Sequence, residues 1–88
     1  KLKKKGVLMN TKKNVIANIY FHLRQYGEFI LWDVDIYDDD NMQGEVHKAS
    51  RIFINSDNIA IVELDNGEEI DIEELSYNEL LCVYEEII

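Results

Sequence analysis

Residues 33–41 form an acidic run whose side chains could bind a cation. The run reads Asp-Val-Asp-Ile-Tyr-Asp-Asp-Asp-Asn. An EF-hand calcium loop needs acidic or amide ligands at its first, third and fifth positions, glycine at the sixth and glutamate at the twelfth. A loop that starts at Asp33 has tyrosine at the fifth position and aspartate at the sixth, and one that starts at Asp38 has methionine and glutamine there. The run therefore predicts a solvated acidic loop, and we expect no metal or other cofactor.

The other residue types that could support catalysis are few and far apart in the sequence. His22 and His47 are the only histidines and Cys82 is the only cysteine, so no pair has the spacing of metal ligands. The four glycines are scattered and form no phosphate-binding loop. Ser56 and Ser76 are explained as a turn residue and a helix cap. Because no nucleophile has a recognisable base and orienting group, we expect that the chain is not an enzyme.

Charge is unevenly distributed along the sequence, which has a net charge of −9. All eighteen acidic residues lie at or after Glu28, and residues 52–88 contain eleven acidic residues without any Lys or Arg. Such a surface repels phosphate backbones and anionic membranes, and it complements a basic protein. We therefore expect a protein partner, with no direct binding to nucleic acid or membrane. The alternative is that the charge serves only solubility.

Compartment and domain boundaries follow from composition. No stretch approaches the roughly 20 apolar residues of a membrane span, and a single cysteine cannot form an internal disulfide, so the cytoplasm is expected. Residues 1–8 are rich in lysine and precede Met9. Because lysine and glycine codons are purine-rich, as is a bacterial ribosome-binding site, we expect residues 1–8 to be a basic leader outside the native bacterial protein. Residues 9–88 are then a single acidic domain.

Helices are predicted at both ends of that domain. The first runs from a cap at Asn10 or Thr11 to about Tyr26, followed by Gly27 as the C-cap. The last begins after Ser76, in a Ser-x-x-Glu capping box. Each carries apolar residues at helical spacing, which are Val15, Ile16, Ile19, Tyr20 and Leu23 in the first and Leu80, Val83, Tyr84 and Ile87 in the last.

Four strands are predicted between the helices from apolar residues at a spacing of two. A four-residue turn at 55–58 and a two-residue Asn66-Gly67 turn separate the last three strands. The predicted strands cover, in order, residues 28–36, 46–54, 59–64 and 68–72. The order α-β-β-β-β-α with short loops predicts an α+β fold, an antiparallel meander with both helices packed on one sheet face.

These turns also predict which side chains share a face of the sheet. The face under the helices would contain Ile52, Ile54, Ile59, Ile61, Ile70 and Ile72. The opposite face would contain Phe53, Ala60, Val62 and Leu64, joined by Phe29 and Leu31. A solvated sheet face is normally polar, so this second apolar face predicts an interface, the alternative being that a loop or helix covers it.

Two functions are consistent with these patterns. The first is a non-catalytic protein-interaction module whose partner is a second copy of the chain or another protein. Its contact residues would be Phe29, Leu31, Phe53, Val62 and Leu64. The second is an acidic inhibitor, such as an immunity protein, antitoxin or nucleic-acid mimic, of a nuclease or another basic nucleic-acid-binding protein. Its contact residues would be Asp38, Asp39, Asp40, Glu68, Glu69, Asp71, Glu73 and Glu74. Salt should weaken the second kind of association much more than the first.

Overall fold

A computed structural model describes residues 11–38 and 46–88 and confirms the α+β prediction. Four antiparallel strands form one sheet in the order β1-β2-β3-β4, with a helix before them and a helix after them. The elements are α1 (Lys12–Tyr26), β1 (Phe29–Tyr37), β2 (Val46–Ile54), β3 (Ala60–Leu64), β4 (Glu69–Asp71), a 3-10 turn (Ile72–Glu74) and α2 (Tyr77–Ile87). Neither helix combines the length and apolar character that a membrane span requires.

Both helices begin at the residues that the sequence predicts. The Thr11 hydroxyl accepts a hydrogen bond from the Asn14 amide at the start of α1. At the start of α2, the Ser76 hydroxyl accepts from the Glu79 amide at 3.2 Å while the Glu79 carboxylate accepts from the Ser76 amide at 2.8 Å. This reciprocal capping box satisfies amides that the first helical turn leaves unpaired. Gly27 ends α1 with φ 87°, a conformation that glycine adopts without steric cost.

One hydrophobic core lies between the helices and one face of the sheet. The buried side chains of α1 and α2 belong to the same cluster as those of the strands. Tyr20 of α1 also joins the layers, because its hydroxyl accepts a hydrogen bond from the Ala60 amide at 3.0 Å. The buried members of the cluster are Val15, Ile19, Leu23, Leu31, Ile36, Ala49, Ile52, Ala60, Val62, Leu64, Ile72, Leu75, Leu80, Val83, Tyr84 and Ile87.

Both hairpin registers differ by one residue from the prediction. Ile52 lies opposite Val62, where the predicted turn places Ile61. The cause is Asn55, whose carboxamide oxygen accepts from the Asp57 and Ile59 amides and closes a three-residue loop over 56–58. The second hairpin likewise has three loop residues, 65–67, and positive φ only at Gly67, as in a type I turn followed by a bulge.

The two register errors cancel in β4 but not in β3. Because side chains alternate between faces, a shift of one residue moves a whole strand's apolar set to the other face. The prediction that Ile59 and Ile61 lie under the helices is therefore wrong, and Ala60, Val62 and Leu64 are buried there instead. The second shift restores the predicted face for β4, so Ile70 packs against the core and Ile72 is fully buried.

Strand β1 changes phase in its middle. Ile30 pairs with Arg51 and Val34 pairs with Ala49, so β1 has two more residues than β2 between these pairs. Trp32 and Asp33 occupy this bulge with φ values of 52° and 61°. Leu31 before the bulge and Ile36 after it are both buried, although strict alternation would place them on opposite faces.

Replacing Ile52 by alanine tests the observed core. Ile52 is fully buried and Ile30 is 49% exposed. We expect Ile52→Ala to lower the free energy of unfolding by about 2–5 kcal/mol, because it leaves a cavity. Ile30→Ala removes the same atoms from the other side of the sheet and should cost less than about 1 kcal/mol. Urea denaturation followed by circular dichroism measures both, and equal losses would contradict the assignment of faces.

Candidate interaction surface

The solvent-facing side of the sheet presents Ile30, Phe53 and Ile61, and the adjacent bulge of β1 presents the exposed Trp32; we call these four residues the outer-face patch. Trp32 is 83% exposed, the highest value among the large apolar side chains of the described residues. Phe53 pairs with Ile61 across β2 and β3. Ile61 is only 8% exposed, yet it is the one buried apolar residue outside the main core cluster. The patch is therefore a second, smaller apolar group, separated from the core by the sheet.

Arg51 covers part of this patch. Its guanidinium carbon lies 4.0 Å from the centre of the Phe53 ring, close enough for a cation–π contact. The same guanidinium donates to the Glu63 carboxylate and, at 3.2 Å, to Glu28. An arginine held by two carboxylates above an aromatic ring reduces the exposure of Phe53. Trp32 has no such cover.

The bulge that contains Trp32 is strained. A left-handed backbone costs roughly 1–2 kcal/mol for an L-residue, although aspartate tolerates it better than most. Tryptophan gains no local hydrogen bond from this conformation, so Trp32 contributes strain while its indole stays in water. Strained residues persist where the surrounding structure enforces them, and they cluster at functional sites. Strain and exposure coincide at Trp32, which makes this residue the centre of the candidate surface.

Charged side chains surround the bulge. The Lys48 ammonium lies 2.6 Å from the Asp35 carboxylate, across the β1–β2 ladder. Partial desolvation and the neighbouring Asp33 carboxylate raise the pKa of Asp65, while Lys48 acts in the opposite direction. Asp33 and Asp65 therefore repel each other when both are ionised.

The sequence-predicted contact residues are placed differently from the prediction. Leu31, Val62 and Leu64 lie in the core beneath the helices, so they cannot form a surface of the folded monomer. Phe29 is half-buried and packs against the same core. The structure places only Phe53 on the solvent-facing side. The register shift in β3 and the bulge in β1 account for these differences.

The predicted acidic contact residues are divided between separate elements. Glu68, Glu69, Glu73 and Glu74 are exposed in β4, the turn before it and the 3-10 turn after it. Asp71 caps that 3-10 turn by accepting from the Glu73 amide at 2.9 Å. Asp38 follows β1, and its carbonyl accepts from the Asn78 side chain of α2. Asp39 and Asp40 lie outside the described residues, as do residues 1–8.

His22 and Cys82, whose side-chain types could take part in catalysis, lie in α1 and α2 respectively. Within 11–38 and 46–88, no three His, Cys, Asp or Glu side chains are grouped so that they could hold a metal ion. His22 is half-buried, with its ring centre 6.3 Å from that of Tyr84. Burial raises the pKa of the Cys82 thiol, which disfavours a reactive thiolate.

Comparison of this chain with protein families, with curated proteins and with solved structures gives no match.

Asp65→Asn should stabilise the protein at neutral pH. The folded-state pKa of Asp65 lies above the ordinary value of 3.8, so folding favours the protonated carboxyl. The stability gained from that proton is present below about pH 3.8 and is lost as the pH rises through the folded pKa. Asparagine has no charge to lose, so the variant should have a higher Tm than wild type at pH 7 and an equal Tm at the acidic end of the range. Asp57→Asn, in an exposed turn, is the matched control, and a gain independent of pH would contradict the explanation.

Replacing Trp32 by asparagine tests the strain in the bulge. Asparagine adopts positive φ more readily than other non-glycine residues, whereas valine is strongly disfavoured there. We expect Trp32→Asn to raise the free energy of unfolding by about 0.5–1 kcal/mol and Trp32→Val to lower it. Both variants lose the indole, so the difference between them reports the backbone. Chemical denaturation followed by circular dichroism measures it, and a more stable valine variant would contradict the left-handed conformation.

Proposed function

We propose that this chain is a non-catalytic protein-interaction module that contacts its partner through the outer-face patch, with a second copy of the chain as the expected partner. The observation that carries the proposal is the 83% exposure of Trp32 on a strained bulge. A solvated strand would be more stable here with glycine or asparagine at position 32, because those residues adopt positive φ at less cost. A tryptophan retained at a cost in stability is explained if burial at an interface offsets that cost.

The composition of the patch supports this function. Tryptophan and arginine are enriched among the residues that dominate binding energy, especially where an apolar centre is surrounded by polar groups. Trp32 is exposed in the β1 bulge, and Arg51, which lies over the Phe53 ring, is held by Glu28 and Glu63. The bulge also interrupts β1, an edge strand, which disfavours continuous pairing of edges between copies. Contact is therefore expected through side chains of the sheet face.

A reducing compartment fits the same proposal. Cys82 is the only cysteine in the sequence, and it is a half-buried free thiol. Free thiols are typical of proteins kept in a reducing cytoplasm. We therefore extend the proposal to a cytoplasmic protein, and a bacterial origin stays a prediction.

Sedimentation equilibrium of the full chain tests self-association. We expect a monomer–dimer equilibrium that Trp32→Asn weakens at least about tenfold, because a central tryptophan at an interface commonly contributes more than about 1 kcal/mol. Phe21→Ala is the control, since Phe21 is a 59% exposed aromatic side chain on α1. Trp32 is the only tryptophan in the chain, so its fluorescence should shift to shorter wavelength as the protein concentration rises.

A wild-type chain that stays monomeric at all concentrations would exclude the second copy as partner. The same variants then serve as baits in lysate of the source organism. A partner retained by Phe21→Ala and lost by Trp32→Asn supports the module with a different protein. Equal recovery by both baits would contradict a role for the patch.

A second candidate function, an acidic inhibitor of a nuclease or another basic nucleic-acid-binding protein, is favoured by the charge around β4. Glu68, Glu69, Glu73 and Glu74 are exposed within one short stretch. Lys12 contacts this stretch, because its ammonium donates a hydrogen bond to the Glu73 carbonyl at 2.9 Å. Capture of a basic protein that is lost at moderate salt, and lost by Glu73→Gln/Glu74→Gln but kept by Trp32→Asn, would favour this function over the module.

A further inference from the structure

A groove of about 390 Å³ runs between strand β1 and helix α2. Val34 and Asp35 both line it, although adjacent residues of a strand point to opposite faces. The groove therefore follows the edge of β1. Among the described residues no strand pairs with this edge, because β1 is the first strand of the sheet and pairs only with β2. Its volume lies within the range of roughly 300–1,000 Å³ that is typical of ligand sites.

The walls of the groove differ in chemistry. Leu81 and Cys82 of α2 supply an apolar surface, and one turn later Glu85 and Glu86 supply two carboxylates. The Cys82 sulfur lies 3.9 Å from the Tyr37 carbonyl oxygen, which shows how closely α2 approaches β1. Asp35 is already paired with Lys48. Among the described residues, no Lys or Arg forms an ion pair with Glu85 or Glu86.

Helix stability does not explain these two carboxylates. The C-terminal end of a helix carries a partial negative charge, so acidic residues in the last turn are unfavourable and basic ones are favourable. Helix α2 has no basic residue in its last turn, where Glu85 and Glu86 lie. Their position is explained if they face a positive charge supplied from outside the described part of the chain.

We propose that this groove binds an extended, lysine- or arginine-containing segment of a partner protein. The segment would lie along the edge of β1, with apolar side chains against Leu81 and Cys82 and a basic side chain between Glu85 and Glu86. An extended peptide beside an edge strand is a common mode of recognition, in which pockets for alternate side chains provide specificity. The inference goes beyond the proposed function, because no residue of the outer-face patch lines the groove.

Cys82 allows a direct test, since it is the only cysteine in the chain and lies in the groove. The probe is a blocked five-residue peptide of alternating lysine and valine, and the measured quantity is the rate at which iodoacetamide alkylates Cys82 in the full chain. We expect saturating peptide to slow alkylation at least about fivefold. Peptides of alternating glutamate and valine, or lysine and glycine, should have little effect, because they lack the charge or the apolar side chains.

Two double variants with the same change in charge locate the effect. Glu85→Gln/Glu86→Gln should weaken peptide binding about fivefold or more, since one half-buried and one exposed carboxylate are lost. Glu73→Gln/Glu74→Gln, outside the groove, should leave it nearly unchanged. Burial raises the pKa of the Cys82 thiol and Glu85 contributes in the same direction, so Glu85→Gln also changes the rate without peptide. Binding is therefore taken from the concentration of peptide at half-maximal protection.

Three results would overturn the proposal. These are alkylation unaffected by the lysine–valine peptide up to about 1 mM, equal protection by either control peptide, and equal weakening in both double variants. Trp32 fluorescence, recorded in the same titration, should not change. The two proposals can therefore fail separately, because self-association depends on Trp32 and peptide protection depends on Glu85 and Glu86.

Discussion

Burial of one sheet face beneath two helices is the interaction on which the rest of this structure depends. Ile52 and Val62 face each other across β2 and β3, and both are fully buried at the centre of the core. Alternation then fixes Arg51 and Phe53 on the solvent-facing side, beside Glu63 and Ile61. The outer-face patch is thus a geometric consequence of core packing. Core packing does not determine which residue types form the patch, because alternation requires only that some residue occupy each position.

The sequence predicts the elements well because the signals for them are local. Thr11, Gly27 and the Ser76–Glu79 box act within one helical turn, and each has the predicted role in the structure. Register is harder to predict because it depends on loop length, and one side chain can change it. Asn55 closes its loop through its own carboxamide, which shortens the predicted four-residue turn to three. A one-residue difference then reassigns every side chain of β3.

The candidate surface was partly encoded in the sequence as a break in alternation. Leu31 and Ile36 are both apolar, yet they are five positions apart, an odd spacing that no uninterrupted strand can place on one face. The Trp-Asp pair between them marks the position of the break. The backbone conformation of Trp32 and Asp33 could not be predicted, because two consecutive residues other than glycine rarely adopt the left-handed conformation. The groove beside α2 is also absent from the local pattern, since it arises from the approach of elements distant in sequence.

The two three-residue hairpin loops have a consequence for how this protein can change during evolution. Insertion of one residue in the β2–β3 loop with the outer strands unchanged would turn β3 over and expose Val62 to solvent. A one-residue change in the β3–β4 loop as well would keep the side chains of β4 on their present faces, because the two register shifts cancel there. The lengths of the two loops are therefore coupled, and the effect of an insertion in one depends on the length of the other. In this sheet the length of a hairpin loop therefore determines which side chains of β3 face the solvent.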